Sequence, residues 1–288
     1  MEYTMEAETD RAIDVLEDLS GGIDYALVGP RDNRVHEIRT KRFPFNTICY
    51  LGRDFGDGLW RGCTGTLIGP RTVLTAGHCV YSHKFKRAPE KITVIPGRSG
   101  RDTMPYGYII STQYYAPKRY VKAVAARHPD RKNFDYGIIV LPRAFQGIKK
   151  FMKLKPLPQA EFDKIKHTKL ITIAGYPGDR PVGSLWRHTE KLKKSTPQRL
   201  FYTVDTCPGH SGSPVWFLEW KNRKRFIIGV HTSGILDELG RSYGCSKGTV
   251  LAPPGLMNSG VRITPDVVAN IRYRNRKVNG VKTMIRLP

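Results

Sequence analysis

No apolar run in the 288-residue chain approaches the ~18 residues that a membrane-crossing helix needs. No signal peptide follows Met1 either. Acidic residues are scarce, 25 against 48 Lys and Arg, so the net charge is +23. The imbalance is uneven: residues 1–27 hold eight acids against Arg11, which leaves +30 on the remainder. An acidic leader ahead of a basic body suits a removable segment or a polyanion-binding surface. No nucleic-acid-binding motif accompanies the surplus of base, and no cluster of His, Cys and carboxylates has metal-ligand spacing. No cofactor or metal is therefore expected. Cysteine is limited to Cys49, Cys63, Cys79, Cys207 and Cys245.

What is present is a β-rich pattern. Hydrophobic content of 40% and 14 tyrosines suffice for a packed core. Short runs rich in β-branched and aromatic residues recur at 45–51, 63–68, 72–75, 92–95, 108–115 and 136–141. A second set follows at 170–174, 200–204, 215–220, 226–231 and 260–263. Gly, Pro, Asn and Asp punctuate both sets, as in antiparallel barrels or sandwiches. The basic connector 149–156 lies between them. Helices are expected at 6–19 and after Thr264, where Thr caps, Pro takes the first helical position, Asp266 meets the positive end of the dipole, and Val267, Val268 and Ile271 pack the helix onto the second set of strands. The tail 272–288 is basic and expected to be partly mobile.

The chemistry concentrates in Thr206-Cys207-Pro208-Gly209-His210-Ser211-Gly212-Ser213-Pro214. Glycines around a serine let the amides of Gly209 and Ser211 converge beside the hydroxyl, the requirement of an oxyanion hole. A serine nucleophile needs a base and a group that orients the base. His78 follows the apolar run 72–75, and Asp135 precedes the run 136–141. The order His, Asp, Ser, with separations of 57 and 76 residues, is that of chymotrypsin-like proteases. In that reading His78 takes the Ser211 proton and Asp135 holds the imidazole tautomer.

The chain resembles trypsin-fold serine endopeptidases, with the strongest resemblance to bacterial glutamyl endopeptidases. Carrying that resemblance, besides the three residues, are Cys63-Thr64-Gly65-Thr66-Leu67-Ile68-Gly69-Pro70, Ala174-Gly175-Tyr176-Pro177-Gly178-Asp179, Gly229-Val230-His231-Thr232 and Arg262-Ile263-Thr264. It implies an all-β fold of two packed antiparallel β-barrels with a C-terminal α-helix. The expected division is a short helical pro-segment at 1–27, a first barrel at 28–155 carrying His78 and Asp135, a second at 156–263 carrying Ser211, and a helix with basic tail at 264–288. It also implies disulfides Cys63–Cys79 and Cys207–Cys245, with Cys49 a buried free thiol. Oxidised cysteines imply secretion, the export signal having been removed.

Specificity stays divided at this level. The resemblance places Thr206 and His231 where glutamyl endopeptidases bind the substrate carboxylate. It also places Val28 at the mature start, so that its freed amine would lie near the pocket. His210 stands where trypsin-like zymogens use an aspartate to hold that amine. Asp205, six residues before Ser211, argues instead for trypsin-like cleavage after Arg or Lys, although some glutamyl endopeptidases carry Asp there, turned away. Cleavage after Glu, with Asp second, is the expectation, and the +30 body would draw acidic substrates. The reading from another class is a polyanion-binding protein on a protease fold, using clusters at 187–194, 221–225 and 272–282. The expected partners are a polypeptide substrate and accessory polyanions, and the expected state is a monomer.

Overall fold

The computed structural model describes residues 27–234, 243–245, 251–274 and 276–288. The helix expected at 6–19 falls outside them.

The first half supplies β1 (Val35–His36), β2 (Ile48–Asp54), β3 (Trp60–Gly69), β4 (Thr72–Thr75), β5 (Lys91–Pro96), β6 (Ile109–Ser111), β7 (Tyr114–Pro117) and β8 (Gly137–Val140). The second supplies β9 (Lys153–Leu154), β10 (Leu170–Gly175), β11 (Trp186–Ser195), β12 (Arg199–Tyr202), β13 (Pro214–Glu219), β14 (Lys224–Ser233) and β15 (Asn258–Arg262). The tail adds β16 (Lys277–Val278), β17 (Val281–Lys282) and β18 (Met284–Arg286). The α-helices of the described residues are α1 (Gly77–Val80), α2 (Lys118–Ala125), α3 (Gln159–Ile165) and α4 (Pro265–Arg272).

Two sheets result. The first runs β18-β7-β8-β4-β3-β2-β5-β6. The second runs β1-β11-β10-β13-β14-β15-β12, and a β11–β12 pairing closes six of its strands into a ring. Apart from the parallel β9–β14 pair, their ladders are antiparallel. The core of the first sheet holds Leu51, Val73, Ile92, Ile138 and Ile139, continuous with Trp216, Val230 and Val261 from the second. A separate cluster of Ile171, Leu192, Leu200, Tyr202 and Val215 fills the closed ring. The two-barrel all-β expectation holds.

Three features differ from the sequence expectation. The run 108–115 is two strands, because the chain bends after Ser111 and the Ser111 hydroxyl accepts from Gln113 N while donating to Val140 O. The tail is not loose throughout: β18 pairs with β7, and Met284 and Leu287 are buried. Helix α4 is capped as expected by Thr264 Oγ1 on Val267 N. However, Val267 and Ile271 join the core that the first sheet shares, and Asn270 Nδ2 donates to Tyr136 Oη at 2.7 Å. The helix therefore seals the junction between the barrels rather than the second one alone. The N-terminal strand β1 adds to β11 of the second sheet, in register Val35 opposite Arg187.

Candidate active site

His78 sits in the single turn α1, directly after β4, and Asp135 lies just before β8, the strand that pairs with β4. That pairing brings them together across 57 residues. Asp135 Oδ1 accepts from the His78 backbone N at 2.8 Å, and Oδ2 lies 2.8 Å from His78 Nδ1. Burial alone would push the Asp135 carboxyl up, but the charge and hydrogen bonds of His78, with His83 behind them, hold it below the ordinary value. An ionised carboxylate can only accept, so Nδ1 carries the proton and Nε2 is the basic nitrogen. Gly77 is required by this approach: a Cβ there would stand 2.9 Å from Asp135 Oδ1.

Ser211 comes from the second barrel, on the turn before β13. Its backbone is pinned to the His78 side: Thr64 N donates to Ser211 O at 2.9 Å, and Cys79 Sγ lies 3.6 Å from that oxygen. The Cys63–Cys79 disulfide (Cα–Cα 6.4 Å) ties β3 to α1 beside it. The turn itself is held from several sides. Gly178 N donates to Pro208 O at 2.8 Å, Thr64 Oγ1 to Gly209 O at 2.7 Å, and Gly212 N to His231 O at 2.8 Å. Gly209 adopts φ +96°, and a Cβ there would meet Tyr176 O at 2.4 Å. That conformation and closeness suit only glycine.

His210 is buried, and its pKa falls well below the ordinary value, first through burial and then through repulsion from Arg34 and His231. Its neutral ring accepts from Cys207 N at 3.0 Å and so braces the turn internally. A neutral imidazole offers no countercharge to an ammonium.

The pocket-forming segments sort differently from one another. Both oxygens of Asp205 are engaged: Oδ1 accepts from Gly29 N and Oδ2 from Asn33 N, each at 2.8 Å. The residue is buried, with His188 Nδ1 at 3.2 Å from Oδ2. Its charge therefore secures the incoming 29–33 segment. Thr206 N donates to Leu27 O at 3.1 Å, while its buried Oγ1 has no hydrogen-bond partner among the described residues. His231 is joined to the serine turn through its own backbone and lies 2.9 Å from Tyr202 Oη at Nδ1. Burial raises the Tyr202 pKa, so the phenol stays protonated; with its O–H donated to Nδ1, the imidazole N–H sits at Nε2. Val28 is fully buried with Cys207 and Cys245, which form the second disulfide (Cα–Cα 5.5 Å). Val28 N donates to Tyr243 O at 3.0 Å, and Ala252 N donates to Val28 O at 2.7 Å. The structure thus lays the Leu27–Val28 segment along the segment leading to Ser211. Cys49 is a buried free thiol, and burial pushes its pKa far up.

Among the described residues, two groups bring candidate ligand atoms within 4.8 Å of one another: Cys63, His78 and Cys79, and His78, His83 and Asp135. The sulfurs of the first are joined in the disulfide, and the second is already bonded through Nδ1 and Oδ2. Neither set fits a metal centre. Residues that the sequence did not single out are His83, with its ring centroid 6.0 Å from that of His78, Tyr202, and the buried Arg199. His83 lies five residues from His78 in a loop and Arg199 at a strand start, where nothing local marks either.

The arrangement, an oriented imidazole from one barrel beside a serine turn from the other, can run acyl transfer. Comparison with known proteins agrees. The chain is 31% identical to a glutamyl endopeptidase of Bacillus licheniformis over 83% of its own length and 66% of the relative's. It is 30% identical to a protein of Bacillus subtilis named extracellular metalloprotease, over 84% of this chain and 67% of that one. It thus spans about two thirds of the length of these relatives. A solved structure of a Glu endopeptidase in complex with MPD superposes with a TM-score of 0.65 at 27% identity, covering 86% of this chain and 99% of that one. Residues 34–250 match the family model described as Trypsin, a span that includes His78, Asp135 and Ser211, and the chain belongs to that family of serine endopeptidases.

Proposed function

We propose that the protein is a secreted endopeptidase that hydrolyses the bond after glutamate, with aspartate second, through an acyl-enzyme. His78 Nε2 removes the Ser211 proton as Oγ attacks the scissile carbonyl, and Asp135 stabilises the imidazolium that forms. The amides of Gly209 and Ser211 receive the developing oxyanion, and His78 returns the proton to the leaving amine. The observation that carries the specificity is the engagement of Asp205 by Gly29 N and Asn33 N. The carboxylate that would attract Arg or Lys is occupied, while the imidazole of His231 and the hydroxyl of Thr206, unpartnered among the described residues, are donors suited to a carboxylate. After removal of residues 1–27, the new amine of Val28, beside the Cys207–Cys245 bridge, adds positive charge to the same region.

Fluorogenic peptides that differ only at the residue before the scissile bond test this reading. Cleavage after Glu at least tenfold faster than after Arg supports it, and cleavage after Arg with Glu ignored overturns it.

Accessory polyanion binding by a monomer is a second reading. It is favoured by the adjacency of α2, with Lys118, Arg119 and Lys122, to the basic tail: β18 pairs with β7, and Lys118 N donates to Thr283 O at 3.0 Å. A binding-only protein would leave Ser211 unlabelled by a fluorophosphonate.

A further inference from the structure

Arg199 opens β12 of the second barrel and is 6% exposed, yet no carboxylate of the described residues bonds to it. Its guanidinium is surrounded by neutral oxygens. Nη1 donates to Lys132 O and, at 3.2 Å, to Thr232 Oγ1; Nη2 donates to Ser233 Oγ at 3.1 Å and to Ser259 Oγ. Removing a cation from water is costly unless an anion compensates. The charge of Asp135, itself buried, partly opposes the lowering of the Arg199 pKa by burial.

The contacts join two places that matter. Lys132 lies three residues before Asp135, in the 3-10 turn Pro129–Asn133 of the first barrel. Thr232 follows His231 at the point where the β14–β15 register shifts, between His231 and Ser233. A bulge leaves its extra residue outside the ladder and re-aims its neighbours, and one planar fork holds both side chains there.

Resting on the protease reading above, the structure assigns Arg199 as a positioning residue: it locks the His231–Ser233 bulge to the turn that presents Asp135, and sets a fixed positive charge behind the His78–Asp135 pair. It touches neither substrate nor reacting atoms. Other charged or titratable groups around the pair are Arg53, whose Nη1 donates to His78 O at 3.2 Å, His83 with Tyr120 bonded to it, and the chain neighbours of Asp135, Lys132 and Tyr136. A cation behind the pair disfavours the imidazolium, so removing it raises the pH at which His78 becomes a base.

The test compares Arg199→Met and Arg199→Lys in the processed enzyme. The readouts are the rate of fluorophosphonate labelling of Ser211 against pH, and kcat and KM on the best peptide. Arg199→Met is expected to slow labelling about 10–100-fold, with kcat falling more than KM rises, and to move the acid limb to higher pH. Arg199→Lys keeps the charge but not the fork, so it should slow labelling while leaving the limb in place. If Arg199→Met does not fold, the Lys variant decides: a wild-type labelling rate, or a displaced limb, overturns the assignment. In a folded Met variant, an unmoved limb or a rate within twofold of wild type does the same. Failure of the protease reading would look different, since the unmodified enzyme would then not label.

Discussion

Replacing Asp205 with asparagine separates the two specificities that the sequence left open. The carboxylate accepts two backbone N–H groups at 2.8 Å, from Gly29 and Asn33, in a buried setting. Asparagine keeps one acceptor oxygen but turns a donor amide toward the second N–H. Losing one charge-assisted bond and leaving one donor unsatisfied costs about 2–4 kcal/mol. At ~2–4 °C per kcal/mol for a protein of this size, Tm should fall by about 4–16 °C. If the residue only secures the 29–33 segment, both peptide substrates suffer alike and the Glu-to-Arg ratio of kcat/KM stays within about threefold. Were it instead the pocket floor, losing its charge would move that ratio by more than tenfold, ~1.4 kcal/mol, with little change in melting. Differential scanning fluorimetry and two fluorogenic peptides measure both quantities. An unchanged Tm with a tenfold shift in preference would refute the reasoning.

Other consequences are open to measurement. His231→Ala should lower kcat/KM on a Glu peptide by ~1.5–3 kcal/mol, about 10–100-fold, and leave a Gln peptide nearly unaffected. His210 is buried neutral with a depressed pKa, so the unfolded chain binds a proton there before the native protein does. Stability should therefore decline as pH falls below the unfolded value of ~6.5, and melting curves of His210→Gln should show a shallower decline between pH 6.5 and 5. Removing the Cys207–Cys245 bridge by paired alanine substitution should cost about 4 kcal/mol, given its 38-residue separation, as read from denaturant titration. Labelling of Ser211 should weaken with it, because Val28 packs on that bridge.

Some of this molecule was legible before any coordinates. His78, Asp135 and Ser211 stand at junctions of strand and turn, where apolar runs stop and glycine begins, and such junctions leave a trace in sequence. Strand β11 left none. Six of its ten residues are His, Glu, Lys or Arg, and its inward positions include His188 beside Leu192, so apolar alternation is diluted below recognition. Helix α2 was hidden in the same way, since Tyr120 and Val124 are the buried pair among lysines and arginines. Arg199 carries no mark in the sequence. Its burial depends on hydroxyls from β14 and β15 and a carbonyl from the other barrel, a coincidence of three distant segments that no local window contains.

The two ends of the chain cross over: β1 docks on the sheet built by the second half, and β18 docks on the sheet built by the first. Each half is thereby tethered by the opposite terminus, like a parcel tied with one cord. Neither half can melt without stripping an edge from its neighbour, which should make unfolding a single cooperative event. Trimming the last five residues should fray the His78 side of the molecule first, even though in sequence they adjoin the Ser211 half.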